Sequence, residues 1–218
     1  MEEKFRLAGL ALAGAMVVAG TFAVPKAAVA KEAGDWLIRA RVIAVVPDEK
    51  SKITPIGGKA KLGNEVSGEL DFTYFVTDHV AAELILATTK HSVAAAGTAI
   101  GDIDLGHVWL LPPTLTVQYH FNPKGRLSPY LGTGINLTLH HSVNPGPVVA
   151  DVNYDTSVGF ALQGGFDYRI SRRVSFNVDI KRIWLNSDVT IDAGPLGIVK
   201  ANVDINPFII GTGIGITF

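Results

Sequence analysis

The sequence contains no cysteine, so disulfides, thiolate metal sites and cysteine nucleophiles are excluded together. It has almost no net charge, a formal -1 at pH 7, which argues against a nucleic-acid partner. Beyond its first thirty residues it also lacks any uninterrupted apolar run long enough to cross a bilayer as a helix. Yet 48% of its 218 residues are hydrophobic and 23 are glycine. The apolar residues must therefore be spread over many short elements, as they are in a barrel.

The exception is the N-terminus. Lys4 and Arg6 precede the apolar stretch Leu7 to Val24, and Ala28-Val29-Ala30 closes the segment with small residues two apart. A basic start, an apolar middle and a small-residue site are the parts of a secretory signal peptide. The stretch is about as long as a minimal membrane span of ~18 residues. Its Ala and Gly content, Pro25 and the site after it favour export, with cleavage after Ala30 and a mature domain over 31–218.

From Asp35 onward the dominant period is two, the signature of strands. Trp36, Ile38, Ala40, Val42, Ala44 and Val46 share one face, with Arg39 and Arg41 on the other. Seven further segments alternate in the same way. They are marked by Leu70 and Phe72, by Leu84 and Leu86, by Leu115 and Val117, by Ile135 and Leu137, by Phe160 and Leu162, by Val178 and Ile180, and by Ile210 to Phe218. Short connections such as Thr77 to His79 alternate with four long links, roughly 47–64, 90–107, 140–153 and 186–200. Their Gly, Pro, Ala and Asp content predicts exposed loops.

Eight strands of about ten residues with short turns at one end and long loops at the other describe an antiparallel up-and-down transmembrane β-barrel. Lipid offers backbone groups no hydrogen bonds, so a membrane sheet has to close, the last strand pairing with the first. A soluble exported barrel of eight strands would show the same alternation. Three features favour the membrane form: the regular short and long connections, the final strand ending at Phe218, and outward aromatics suited to a membrane interface (Trp36, Tyr74, Tyr119, Tyr168 and Trp184).

Several blocks also carry a resemblance. "GDWLIRARV", "LDFTYFVTDHVAAEL", "LPPTLTVQYHFNP", "PYLGTGIN", "VDIKRIWL" and the terminal "VDINPFIIGTGIGITF" together resemble the outer-membrane protein W family across the mature chain. The Pro-Pro-Thr-Leu-Thr-x-Gln-Tyr-His-Phe block is the most specific of them. The resemblance implies residence in the cell outer membrane and a narrow apolar channel linked to passage of small hydrophobic molecules. It also implies that Phe218 serves as the signal read by the barrel-assembly machinery. The loops match no pattern of the family, so the solute stays open.

An eight-stranded barrel has room inside for its own side chains or for one small ligand. With both termini at the short-turn end, the inward face reads charged below and apolar above. Arg39, Arg41, Asp71, Glu83, Asp167, Asp179 and Lys181 fall in the lower half, with Thr116, Gln118 and His120. Ile43, Val45, Ile85, Val108, Leu110, Ile183, Leu185 and Ile205 fall in the upper half. Buried charges are costly unless paired, so the lower set is expected to form an ion-pair plug. The upper set is the expected path of an apolar solute, which the plug would turn sideways between strands into the membrane. The plain alternative is that these residues only pack the barrel, and bulges at Pro112, Pro113 or Pro207 could invert the assignments locally.

Other constellations carry less. His91, His107, His140 and His141 fall in the expected outer loops and read as solvated side chains, since adjacent strand residues point opposite ways and cannot converge on a metal. Ser142 beside His141 lacks an oxyanion hole or nucleophile elbow, so no enzyme and no cofactor is expected. "GTGIG" near the end has no helix after it to hold a phosphate. The rival to a conduit is a structural or adhesive barrel whose long loops contact surface partners.

Overall fold

A computed structural model describes residues 31–147, 149–194 and 197–218. The expected signal peptide lies outside the described residues. Among the described residues fourteen strands follow in chain order. The first seven are β1 (Trp36–Val46), β2 (Glu49–Thr54), β3 (Lys59–Leu62), β4 (Glu65–Phe75), β5 (Val80–Ala87), β6 (Thr89–Thr98) and β7 (Gly101–Leu111). The others are β8 (Thr114–His120), β9 (Leu127–Pro145), β10 (Asp151–Tyr154), β11 (Ser157–Arg169), β12 (Val174–Asp192), β13 (Ile198–Ile205) and β14 (Phe208–Thr217).

Eight of these close a ring, each pair antiparallel: β1, β4, β5, β8, β9, β11, β12, β14 and back to β1. The closing seam sets Ile38, Ala40, Val42 and Ala44 beside Ile216, Ile214, Thr212 and Ile210. The inward positions Arg39, Arg41 and Ile43 lie beside Gly215, Gly213 and Gly211. Those glycines give the large side chains of β1 their room: a methyl group on Gly215 would sit 2.9 Å from Leu37 Cδ1 and 3.1 Å from Arg39 Cγ. The Phe218 amide donates to the Trp36 carbonyl at 2.8 Å, so pairing runs to the last residue.

Outside, the ring is apolar. Val158 is 70% exposed and Ile135 60%, and Val42, Leu131, Phe160 and Ile180 also face outward. A continuous exposed band of this kind is unstable in water and is what acyl chains cover. Aromatic pairs mark both rims, Trp36 with Tyr74 at the short-turn end and Phe160 with Trp184 above. Arg182 lies over the Phe208 ring at 3.9 Å beside that upper pair.

The four long links are not loops. They hold β2, β3, β6, β10, β13 and the outer parts of β7, β9 and β12. Above the ring the sheet divides into two halves, one running β2, β13, β12, β10 and the other β3, β6, β7, β9. Each half alternates, turning Ile53, Val93, Val152, Val189, Val199 and Val203 onto a shared core while Lys50, Lys52 and Lys200 stay exposed. Gly, Pro and Ala diluted this pattern enough to resemble loops, but small residues suit strands packed face to face.

Two prolines at Pro112 and Pro113 separate β7 from β8, and Pro207 separates β13 from β14. Neither break inverts the faces: Val108, Thr114 and Thr116 are all buried, as are Val203 and Ile209. The register shift falls elsewhere, where Trp109 pairs with Ser142 but Leu110 with His140. It makes His141 the extra, exposed residue, while His140 keeps the inward face of Asn136 and Thr138.

Candidate solute chamber and polar plug

All seven expected plug residues meet in one network across the lower lumen. Arg39 forms a two-bond fork with Asp167, Nε to Oδ1 at 3.0 Å and Nη2 to Oδ2 at 2.9 Å. Its Nη1 reaches Asp71 at 2.9 Å and Glu83 at 3.2 Å. Arg41 bridges Asp71 at 2.7 Å and Glu69 at 2.8 Å. Lys181 lies 2.8 Å from Glu69 and 2.9 Å from Asp179.

Sequence reasoning left two charges out of this set. Glu69 is 4% exposed and holds Arg41 and Lys181 together. It stood on the inward face by alternation, one residue pair above Asp71, and only its partners were missing. Lys31 is buried too, and its Nζ donates to Asp167 and to Ser128. It precedes the first strand, where periodicity says nothing.

Neutral groups complete the plug. Glu83 Oε2 accepts from Thr116 at 3.0 Å and Gln118 at 2.7 Å. The Tyr130 hydroxyl donates to Asp179 at 2.8 Å, and its ring lies 5.3 Å from the Arg39 guanidinium. Five carboxylates and four cations thus share partners with almost no exposure. Pairing of this density is what makes burial of so many charges tolerable.

Above the plug opens a chamber of about 770 Å³ of empty space, part of it open to solvent. Seven of the eight expected path residues line it: Ile43, Val45, Ile85, Leu110, Ile183, Leu185 and Ile205. Val108 does not; it belongs to the core packed between the two half-sheets, because β7 has by then climbed above the ring. That core roofs the chamber. His91, expected in a solvated loop, is 3% exposed and lines the chamber, its ring bonded to Thr89 and the Gly63 carbonyl.

The chamber wall has a weak course. The β5–β8 ladder ends at Ile85 with Thr114, and the β6–β7 ladder starts at Thr89 with Leu110. Between them Pro112 and Pro113 have no N–H to donate. Ile85, Ala87, Thr89, Leu110, Pro112 and Thr114 all face the cavity at this course.

A closed ring with a lipid-suited exterior, a charged plug and an apolar chamber narrows the comparison to small outer-membrane barrels. The OmpW family model matches residues 32–218. The chain belongs to the OmpW family. It is 39% identical to the outer-membrane protein y4mB of Sinorhizobium fredii, over 84% of this chain and 80% of that one. It is 28% identical to outer membrane protein W of Vibrio cholerae, over 94% and 95%. The crystal structure of OprG from Pseudomonas aeruginosa superposes with a TM-score of 0.79 at 28% identity, covering 86% of this chain and 97% of that one. The protein is an outer-membrane β-barrel, and its exposed band is the surface that meets lipid.

Proposed function

We propose that the chamber is a binding station on a passive route for small hydrophobic molecules, and that the solute leaves sideways into the membrane. The observation that supports this best is the chamber itself. A small barrel has little reason to keep apolar space unfilled above a lumen packed solid with charge. Burial there is worth about 25 cal/mol per Å² of apolar solute surface. Descent past the plug would require parting several buried ion pairs, each costing a few kcal/mol by order of magnitude. The proline course between β5 and β8 offers a cheaper exit, since its ladder is already interrupted. Phe218 on the closing strand is read, by family likeness, as the mark for the assembly machinery.

The test is uptake of a hydrophobic solute by vesicles carrying folded protein. Ile43→Asp, Ile183→Asp or Leu185→Asp should each lower it, and Ala87→Trp should lower it by filling the space without adding charge. Unchanged uptake in all four would refute the conduit. The adhesive reading draws support from the ordered half-sheets that stand above the ring. Replacing the exposed Lys50, Lys52 and Lys200 of the half-sheets by Glu would weaken such a role and leave chamber binding intact.

A further inference from the structure

The chamber is not uniformly apolar, and its polar groups fall into two kinds. Most are paired with one another. Asn136 Nδ2 donates to Thr114 Oγ1 at 2.8 Å, and Thr138 donates to Asn136 Oδ1 at 2.7 Å. His91 and Thr89 hold each other, while Glu69 and Lys181 belong to the plug. Two are different. Ser187 Oγ and His140 Nδ1 are buried atoms with no hydrogen-bond partner among the described residues, and both residues line the chamber.

Both line the chamber beside the core that roofs it, to which Val189 and Tyr154 belong. The His140 ring stacks on Tyr154, with centroids 5.1 Å apart and planes 18° from parallel. Tyr154 pairs with Val189, which lies two residues from Ser187 on the same buried face of β12. Ser187 is only 2% exposed. A buried polar atom left unpaired costs about 1–3 kcal/mol, so two at one site call for an explanation.

We propose that Ser187 and His140 form a polar station in the chamber roof that receives the one uncharged polar group of an otherwise apolar solute. The preferred cargo is then a small amphipath, an alcohol, ketone or phenol, over the plain hydrocarbon of the same skeleton. The serine hydroxyl can donate or accept, and a neutral imidazole adds one nitrogen of fixed role. Burial lowers the His140 pKa, Asp155 opposing in part, so the ring is neutral at pH 7. Neither group brings a charge to pair with a carboxylate or ammonium. The apolar body would lie against Ile43, Ile85 and Ile183 below. This inference rests on the chamber being a solute site.

The test uses naphthalene and 2-naphthol, which share a skeleton and differ by one hydroxyl. Each is titrated into protein in lipid nanodiscs, with the methyl resonances of Ile43, Ile183 and Ile205 as reporters and empty nanodiscs correcting for partition. One added hydrogen bond should make 2-naphthol bind about three- to tenfold tighter. Ser187→Ala and His140→Phe should each remove most of that preference, read as the ratio of the two affinities within each variant, while His140→Gln should keep part of it. Equal affinities in the parent protein, or a preference that survives both variants, would overturn the proposal. Binding of naphthalene without preference would leave the chamber standing and remove only the polar station. Absence of response to either probe would remove both.

Discussion

Arg39 and Asp167 meet across the lumen in a two-bond fork, although β1 and β11 are separated by β12 and β14 in the ring. The pair ties opposite arcs of the wall and also fixes the Arg39 guanidinium over Tyr130. Removing one partner strands the other in a medium that cannot solvate it. Arg39→Met should cost about 3–5 kcal/mol in urea unfolding from bilayers. A loss below 1 kcal/mol would mean that water reaches the plug.

The lipid-facing band makes a depth-dependent prediction. Ile180 lies midway along the ring portion of β12 and is 51% exposed. Ile180→Lys should destabilise the bilayer-inserted protein by about 2–4 kcal/mol. The same change at Phe121, beyond the end of β8 at the short-turn rim, should cost about 1 kcal/mol or less. Equal costs at both sites in a denaturant titration would contradict the assigned membrane position.

The closing seam depends on bare backbone at one point. A Cβ on Gly213 would run into the Ala40 carbonyl and crowd the Arg41 Cα, both backbone atoms that cannot swing aside. Gly68, by contrast, has nothing within 4 Å of such a position. Gly213→Val should therefore lower stability by about 1–3 kcal/mol, through overpacking, and reduce the compact heat-modifiable band on gels. Gly68→Ala should change neither.

At the short-turn end Lys124 pairs with Asp78 at 2.8 Å. The bond from Lys124, followed by that from the Ala33 amide, holds the Asp78 carboxyl below its ordinary pKa. A depressed folded value means stability present above the unfolded pKa of about 3.9 and lost as pH falls through the folded value. Both groups are exposed, so the contribution is small and salt-sensitive. Wild type should exceed Asp78→Asn in stability at pH 7, with the gap closing below about pH 4. A gap that persists at pH 2 would show that charge is not its source.

The ring was legible because lipid outside and charge inside make alternation unusually clean. Strands such as Trp36–Val46 therefore declare both faces at once. Closure followed from the same physics, since a terminal strand in a membrane needs a partner. The half-sheets were not legible: in Lys59–Leu62 and Thr89–Thr98 the buried residues are Ala60, Thr89, His91, Val93, Ala95 and Thr98, with a single valine, and alternation of small or polar groups carries little signal. Depth was the other gap. Val108 has the right face for the chamber but sits too high, and a period of two gives a face without a height. Lys31 lies before any strand, and His140 continues the inward face of Asn136 and Thr138 but falls where a loop was expected to begin.

The most direct test of the chamber is nuclear Overhauser contact between a small aliphatic solute and isoleucine methyls, in nanodiscs of deuterated lipid. The account predicts contacts to the inward Ile43, Ile85, Ile183 and Ile209. Contacts confined to the outward Ile180, Ile210 and Ile214 would place the solute in the surrounding lipid and contradict it.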